Sequence, residues 1–128
     1  MAVFDTNILI GALHGNKKAE RAIEAHKASG AAITILNKYE LVRGAKPQDE
    51  DIIANFIARF RLYTLDDIGV AESARIYKEL RSKGLKINEF DVIIAGIAAA
   101  NNEILITADN DFEGIGKNIV VVDLKAKD

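Results

Sequence analysis

Four acidic side chains stand where a chain of this kind can do chemistry. Asp5 ends the opening apolar run in VFDTN, Glu40 lies in NKYELVRGA, and Asp109 follows EILIT, with Asp111 two residues further on. The fourth, Asp91, is the one charged residue between Phe90 and Ala100 in FDVIIAGIAAA. Carboxylates brought within a few ångströms of one another raise each other's pKa and repel unless a cation neutralises them. The motifs that carry these acids hold no matching set of lysines or arginines, so together they offer the hard oxygen donors that suit Mg²⁺ or Mn²⁺. Such an ion lowers the pKa of bound water and stabilises in-line displacement at phosphorus.

Each acid also has a plainer reading. Asp5, Thr6 or Asn7 can cap a helix beginning at Ile8. Asn88 can be an N-cap with Asp91 three residues on, where a carboxylate suits the helix dipole. Glu40 can be a solvated helix residue, and Asp109 can cap the turn holding Asp111 and Phe112. Residue by residue both readings stay open; it is the gathering of the four that favours the metal.

That gathering depends on the elements that carry them. Short runs rich in β-branched or aromatic residues occur at Val3–Phe4, Ala32–Leu36, Ile104–Thr107 and Ile119–Val122, with a weaker one at Arg61–Leu65. Between them, residues 17–29, 49–60 and 68–83 repeat apolar side chains at helical spacing, the last followed by Gly84. Strands alternating with helices, with few polar positions inside the strands, predict an α/β fold: a three-layer α/β/α sandwich around a mainly parallel sheet of about five strands. In such sheets ligands collect at the carboxyl ends of the strands, near the switch in strand order. Asp5 and Asp109 follow strands there, and Glu40 and Asp91 lie on adjoining helices.

The 128 residues predict a single domain spanning 1–128, with 49% hydrophobic and 28% charged residues, a soluble profile. No apolar run reaches membrane-spanning length, and MAVFDTN has no basic region, so neither a membrane segment nor a signal peptide is expected. The absence of cysteine excludes disulfides and thiolate metal sites and fits a cytoplasmic address. A net charge of −2 argues against nucleic-acid binding through overall charge, leaving a local basic patch.

DTN, YELVRG, DVIIAGIAA and TADNDF, in that order and spacing, resemble the PIN domain, and most of all the small PIN ribonucleases that act as VapC-type toxins of prokaryotic toxin–antitoxin pairs. The resemblance runs to about residue 123. It implies that Asp5, Glu40, Asp91 and Asp109 form a metal-binding acidic centre, with Asp111 a supporting acid. Thr6, Asn7 and Thr107 match positions that orient those carboxylates or bound water. It further implies Mg²⁺- or Mn²⁺-dependent endoribonuclease activity without a covalent intermediate, a homodimer, and a VapB-type antitoxin partner. The apolar residues Ile52, Ile53, Phe56, Ile57 and Phe60 offer either a groove for a partner helix or plain core.

For an RNA substrate, Arg43 is the nearest candidate to hold phosphate, one helical turn from Glu40. Lys78, Arg81, Lys83 and Lys86 in YKELRSKGLK form a second basic run, or a solvated helix face. His14 and His26 have no partner at ligand spacing, and no nucleophile elbow or phosphate-binding glycine loop is present. The alternative of another class is a receiver-like phosphoacceptor domain that binds Mg²⁺ without nuclease activity. It is disfavoured because DTN lacks adjacent acids, no central strand ends in an acceptor aspartate, and Lys125 falls near the tail. A haloacid-dehalogenase-type phosphatase would place an aspartate at position 7, where this chain has Asn7.

Overall fold

The computed structural model describes residues 1–116 and 118–125; Lys117 and residues 126–128 of the expected domain lie outside the described residues. In chain order it runs β1 (Ala2–Phe4), α1 (Thr6–Leu13), α2 (Lys17–Ala25), β2 (Ala31–Thr34), α3 (Ile35–Gly44) and α4 (Glu50–Ile57). Then follow β3 (Arg61–Tyr63), α5 (Asp67–Ser82), α6 (Glu89–Ala100), β4 (Ile104–Thr107) and β5 (Ile119–Val121). Among the described residues, the five strands form one sheet of order β3-β2-β1-β4-β5, and every pairing is parallel.

The two-residue alternation of the strands explains why both faces are covered. Val3, Ala32 and Leu105 point to one side, where Ile76 and Leu80 of α5 and Val92, Ile94, Ala95 and Ala98 of α6 bury them. Ala2, Phe4, Ile33 and Ile106 point to the other, against Ile8 and Leu9 of α1, Ala19 of α2 and Leu41 of α3. A central strand apolar on both faces can only sit between two helical layers, and all three residues of β1 are fully buried.

The chain builds β1, β2 and β3 in one direction and then crosses back to lay β4 on the free side of β1. The switch in strand order therefore falls between β1 and β4, whose ends carry Asp5 and Asp109. In this position α6 delivers Asp91, and it packs unusually close to α5. A Cβ on Gly96 would lie 2.7 Å from both the backbone nitrogen and Cα of Ser73, so glycine is what lets the two backbones cross. The Ser73 hydroxyl also occupies the crossing, where it faces Gly96 and donates to the Gly69 carbonyl at 2.7 Å.

The boundaries differ from the sequence reading in places with local causes. The second apolar run was expected to stay extended to Leu36, but the strand ends at Thr34 and Ile35 opens α3. The reason is a capping box: Thr34 accepts from the Asn37 amide, and the Asn37 side chain accepts from the Thr34 amide. The helix expected over 17–29 stops at Ala25, because the chain turns through His26 to Gly30, whose φ is +106°. Pro47 opens a short 3-10 turn, so α4 starts at Glu50. The weaker run at 61–65 is an edge strand of three residues, of which Arg61 and Leu62 are exposed and Tyr63 is half-buried.

Candidate active site

Asp5 follows the last residue of β1, and its extended backbone makes it the N-cap of α1. Oδ1 accepts from the Thr6 amide at 2.9 Å, the capping role, while Oδ2 accepts from the Thr107 hydroxyl at 2.7 Å. Thr107 ends β4, the strand beside β1, so this bond crosses the switch point. Asp5 is 1% exposed. Burial pushes its carboxyl up to about 6, against the two hydrogen bonds that favour the charged form, and the neighbouring Glu40 and Asp109 push in the same direction.

Asp91 sits in the first turn of α6, its amide donating to Oδ1 of the N-cap Asn88 at 3.2 Å. Its carboxyl is raised to about 7, first by burial and then by the charges of Asp5, Glu40 and Asp109, with a hydrogen bond to Asp5 adding to the shift. No basic side chain is among the causes of either shift. Asp5 and Asp91 are thus both raised, at a junction where the charges of Glu40 and Asp109 reach them from two further segments.

Glu40 is held by a relay that sequence reasoning did not find. Its Oε1 accepts from the Thr6 hydroxyl at 2.7 Å, and Thr6 in turn accepts from Nδ2 of Asn37 at 2.9 Å. Asn37 is fully buried, and its Oδ1 accepts from the Thr34 amide at 2.7 Å. The same amide side chain caps α3 and orients the threonine that orients Glu40. The available signal was the spacing of Thr34 and Asn37, three apart at the end of an apolar run, which is a capping-box pattern.

Asp109 is placed from its own loop. Its amide donates to the Thr107 hydroxyl at 3.0 Å, and its Oδ1 accepts from the Asp111 amide at 2.9 Å, capping the 3-10 turn at Asn110–Phe112. Asn7 holds this loop: its Oδ1 accepts from the Ala108 amide at 3.2 Å. Thr6 and Thr107 therefore touch carboxylates directly, whereas Asn7 acts on backbone. Asp111 joins through its amide, and its carboxylate is not among the charges that perturb Asp5 or Asp91. Arg43, in the last turn of α3, is exposed and lies over the Tyr39 ring at 5.3 Å rather than on the acids. Lys78, Arg81, Lys83 and Lys86 are likewise exposed, on α5 and the turn after it.

As the side chains stand, no three His, Asp or Glu among the described residues meet at ligating distance of one point. The centre is a loosely gathered carboxylate group, electrostatically coupled and short of a closed coordination sphere. Its donor chemistry is uniform: carboxylate oxygens, backed by hydroxyls, with a raised proton affinity that a cation would oppose.

The PIN domain family model matches residues 2–118. Ribonuclease VapC1 of Methanocaldococcus jannaschii is 27% identical over 99 residues, covering 77% of this chain and 68% of that protein. Among solved structures, a toxin–antitoxin complex from Klebsiella pneumoniae contains a chain that superposes with a TM-score of 0.80 at 28% identity, covering 94% of this chain and 97% of that one. The VapBC2 structure from Rickettsia felis, bound to a promoter DNA fragment, shares the fold with a TM-score of 0.78 at 22% identity, covering 95% and 98%. The receiver-like alternative is set aside by these matches. A parallel sheet of order 3-2-1-4-5, acids collected at its switch point and a family model that spans nearly the whole length agree, and the chain belongs to the PIN domain family.

Proposed function

We propose that this chain is a Mg²⁺- or Mn²⁺-dependent endoribonuclease, the toxin of a toxin–antitoxin pair, built as one nuclease domain. The observation that carries the reading is the convergence of Asp5, Glu40, Asp91 and Asp109, whose mutual repulsion no basic side chain offsets at Asp5 or Asp91. These oxygens suit a hard divalent ion by donor chemistry, although as they stand no three of them share one point. When bound, such an ion neutralises charge at the phosphate and acidifies water near neutral pH.

The chain's own residues do the rest. Thr107 and Thr6 each hold one oxygen, of Asp5 and Glu40 respectively, and so limit how those carboxylates can turn. Asn7 and the Asp111 amide hold the loop that presents Asp109. Asp5 and Asp91, both raised, must be unprotonated before both can ligate, and that ties metal uptake to pH. Arg43, one helical turn from Glu40, is the cation on α3 assigned to steady a substrate phosphate.

A VapB-type antitoxin partner is supported by the Klebsiella pneumoniae complex and by a groove of about 630 Å³ between α1, α2 and α4. Ile52 of α4 faces that groove and is 59% exposed. A homodimer and a cytoplasmic address complete the proposal; no helix among the described residues is long and apolar enough to cross a membrane. The test is incubation of the purified protein with mixed RNAs in EDTA, Mg²⁺ or Mn²⁺, beside Asp5→Asn and Asp91→Asn. Cleavage that appears only with metal and is lost in both variants is expected. Cleavage that ignores EDTA or survives both substitutions overturns the reading.

A further inference from the structure

Beside the acids, α3 and α6 each place an aromatic ring one residue before a carboxylate: Tyr39 before Glu40, and Phe90 before Asp91. The two rings meet across the helices with centroids 5.8 Å apart and planes at 76°. Tyr39 is nonetheless 53% exposed, and the Arg43 guanidinium lies over its ring at 5.3 Å. A single exposed tyrosine needs no explanation. One that is pinned by a second ring, covered by a guanidinium and set beside the acidic pocket is a built feature.

We infer that Tyr39, backed by Phe90 and Arg43, is a stacking shelf for an unpaired base next to the phosphate that is cut, an inference that rests on the ribonuclease reading. Aromatic faces bind bases without regard to sequence, and an arginine stacked on the ring adds both cation–π attraction and a phosphate donor. Bases inside a duplex are already stacked and cannot offer a face, so the shelf selects single-stranded or looped RNA. Its position follows from the backbone. Because the ring-bearing residues are chain neighbours of Glu40 and Asp91, the helices that set the carboxylates also set the shelf, and base and phosphate are registered together. A competing occupant is a protein surface, since Ile35 and Val42 are exposed on the same helix, four before and three after Tyr39. The guanidinium on the ring and the adjacency to the acids favour the nucleotide.

The experiment compares wild type, Tyr39→Ala and Tyr39→Phe. Affinity for a fluorescein-labelled single-stranded RNA is read by anisotropy in EDTA, beside the same strand in duplex form; KM and kcat for the strand are read in Mn²⁺, and association by sedimentation. Tyr39→Ala is expected to weaken single-strand binding roughly 5- to 150-fold, the span of one lost base stack. It should raise KM by a similar factor with kcat kept, and leave duplex affinity unchanged. Tyr39→Phe, which keeps the ring, should behave as wild type. Wild type that cleaves RNA while Tyr39→Ala keeps its affinity and KM overturns the shelf alone. So does a Tyr39→Phe variant as defective as Tyr39→Ala, which would point to the hydroxyl. A Tyr39→Ala variant altered only in self-association overturns it in favour of a protein interface. Wild type that neither binds nor cleaves RNA overturns the shelf and the ribonuclease reading together.

Discussion

The Thr107 hydroxyl and the Asp5 carboxylate, 102 positions apart in sequence, meet at 2.7 Å across the seam between β4 and β1. The same oxygen of Thr107 accepts from the Asp109 amide at 3.0 Å, so one hydroxyl orders two of the acids. Thr107→Val keeps the shape and removes both bonds. It should lower Mn²⁺ affinity by about 10- to 100-fold, the usual cost of losing a partner behind a ligand, as measured by calorimetric titration. An unchanged titration would mean that Asp5 needs no such support.

Stability should depend on pH through the acid pair, with a definite sign. The carboxyls of Asp5 and Asp91 are raised from 3.8 to about 6 and about 7, so between pH 4 and 7 the folded chain holds protons that the unfolded chain has released. The metal-free protein therefore loses stability as pH rises through that window, on the order of 3 kcal/mol from the buried Asp5. Melting in EDTA should give a falling Tm from pH 5 to 8. Asp91→Asn should flatten that fall, and millimolar Mg²⁺ should recover more Tm at pH 8 than at pH 5. A flat profile would contradict the coupling.

Asn37 offers a way to separate folding from positioning. Asn37→Ala removes the half of the α3 capping box that accepts from the Thr34 amide, and the donor to Thr6, leaving buried groups unpaired at a cost of about 2–3 kcal/mol in urea unfolding. Asn37→Asp keeps the oxygen that caps but loses the Nδ2 donor, and adds a charge near Glu40. It should stay folded and lose at least tenfold in RNA turnover. Full turnover in Asn37→Asp would show that Glu40 is placed without the relay.

Gly96→Ala should be among the most damaging single-methyl additions in the chain. The new Cβ meets the Ser73 backbone at 2.7 Å, so α5 and α6 must part, with an expected loss of about 2–3 kcal/mol by denaturant midpoint. Ser73→Gly should not rescue it, because the clashing nitrogen and Cα remain. Since α6 carries Asp91, residual activity should fall further than residual folding at the same denaturant concentration.

The parts of the fold written in apolar pattern were legible in the sequence: β1, β2 and β4, the oily α6 and the parallel sheet follow from runs that burial explains, while the edge strands β3 and β5 are partly exposed and carry a weaker signal. That the four acids come near one another was legible from their places at strand ends and on adjoining helices, and the plainer capping roles of Asp5 and Asp109 hold beside it. What the sequence concealed lies in polar residues with local and distant duties at once. Asn37 looks like a turn residue, yet it is fully buried and links α3 to Thr6 of α1. Ile35 and Leu36 look like strand because their β propensity extends the run, and only the cap at Thr34 shows where it stops. The contact of Tyr39 with Phe90 joins residues whose separation no periodicity encodes.

Central strand β1 pairs with β4, about a hundred residues further along the chain. Of the four acids, Asp5, Glu40 and Asp91 all precede β4, while Asp109 and the hydroxyl that orders Asp5 lie at or beyond its end. The acidic centre therefore exists only in a chain whose most distant strand pairing is made, and local unzipping of β4 from β1 would scatter it while the helical layers still stood.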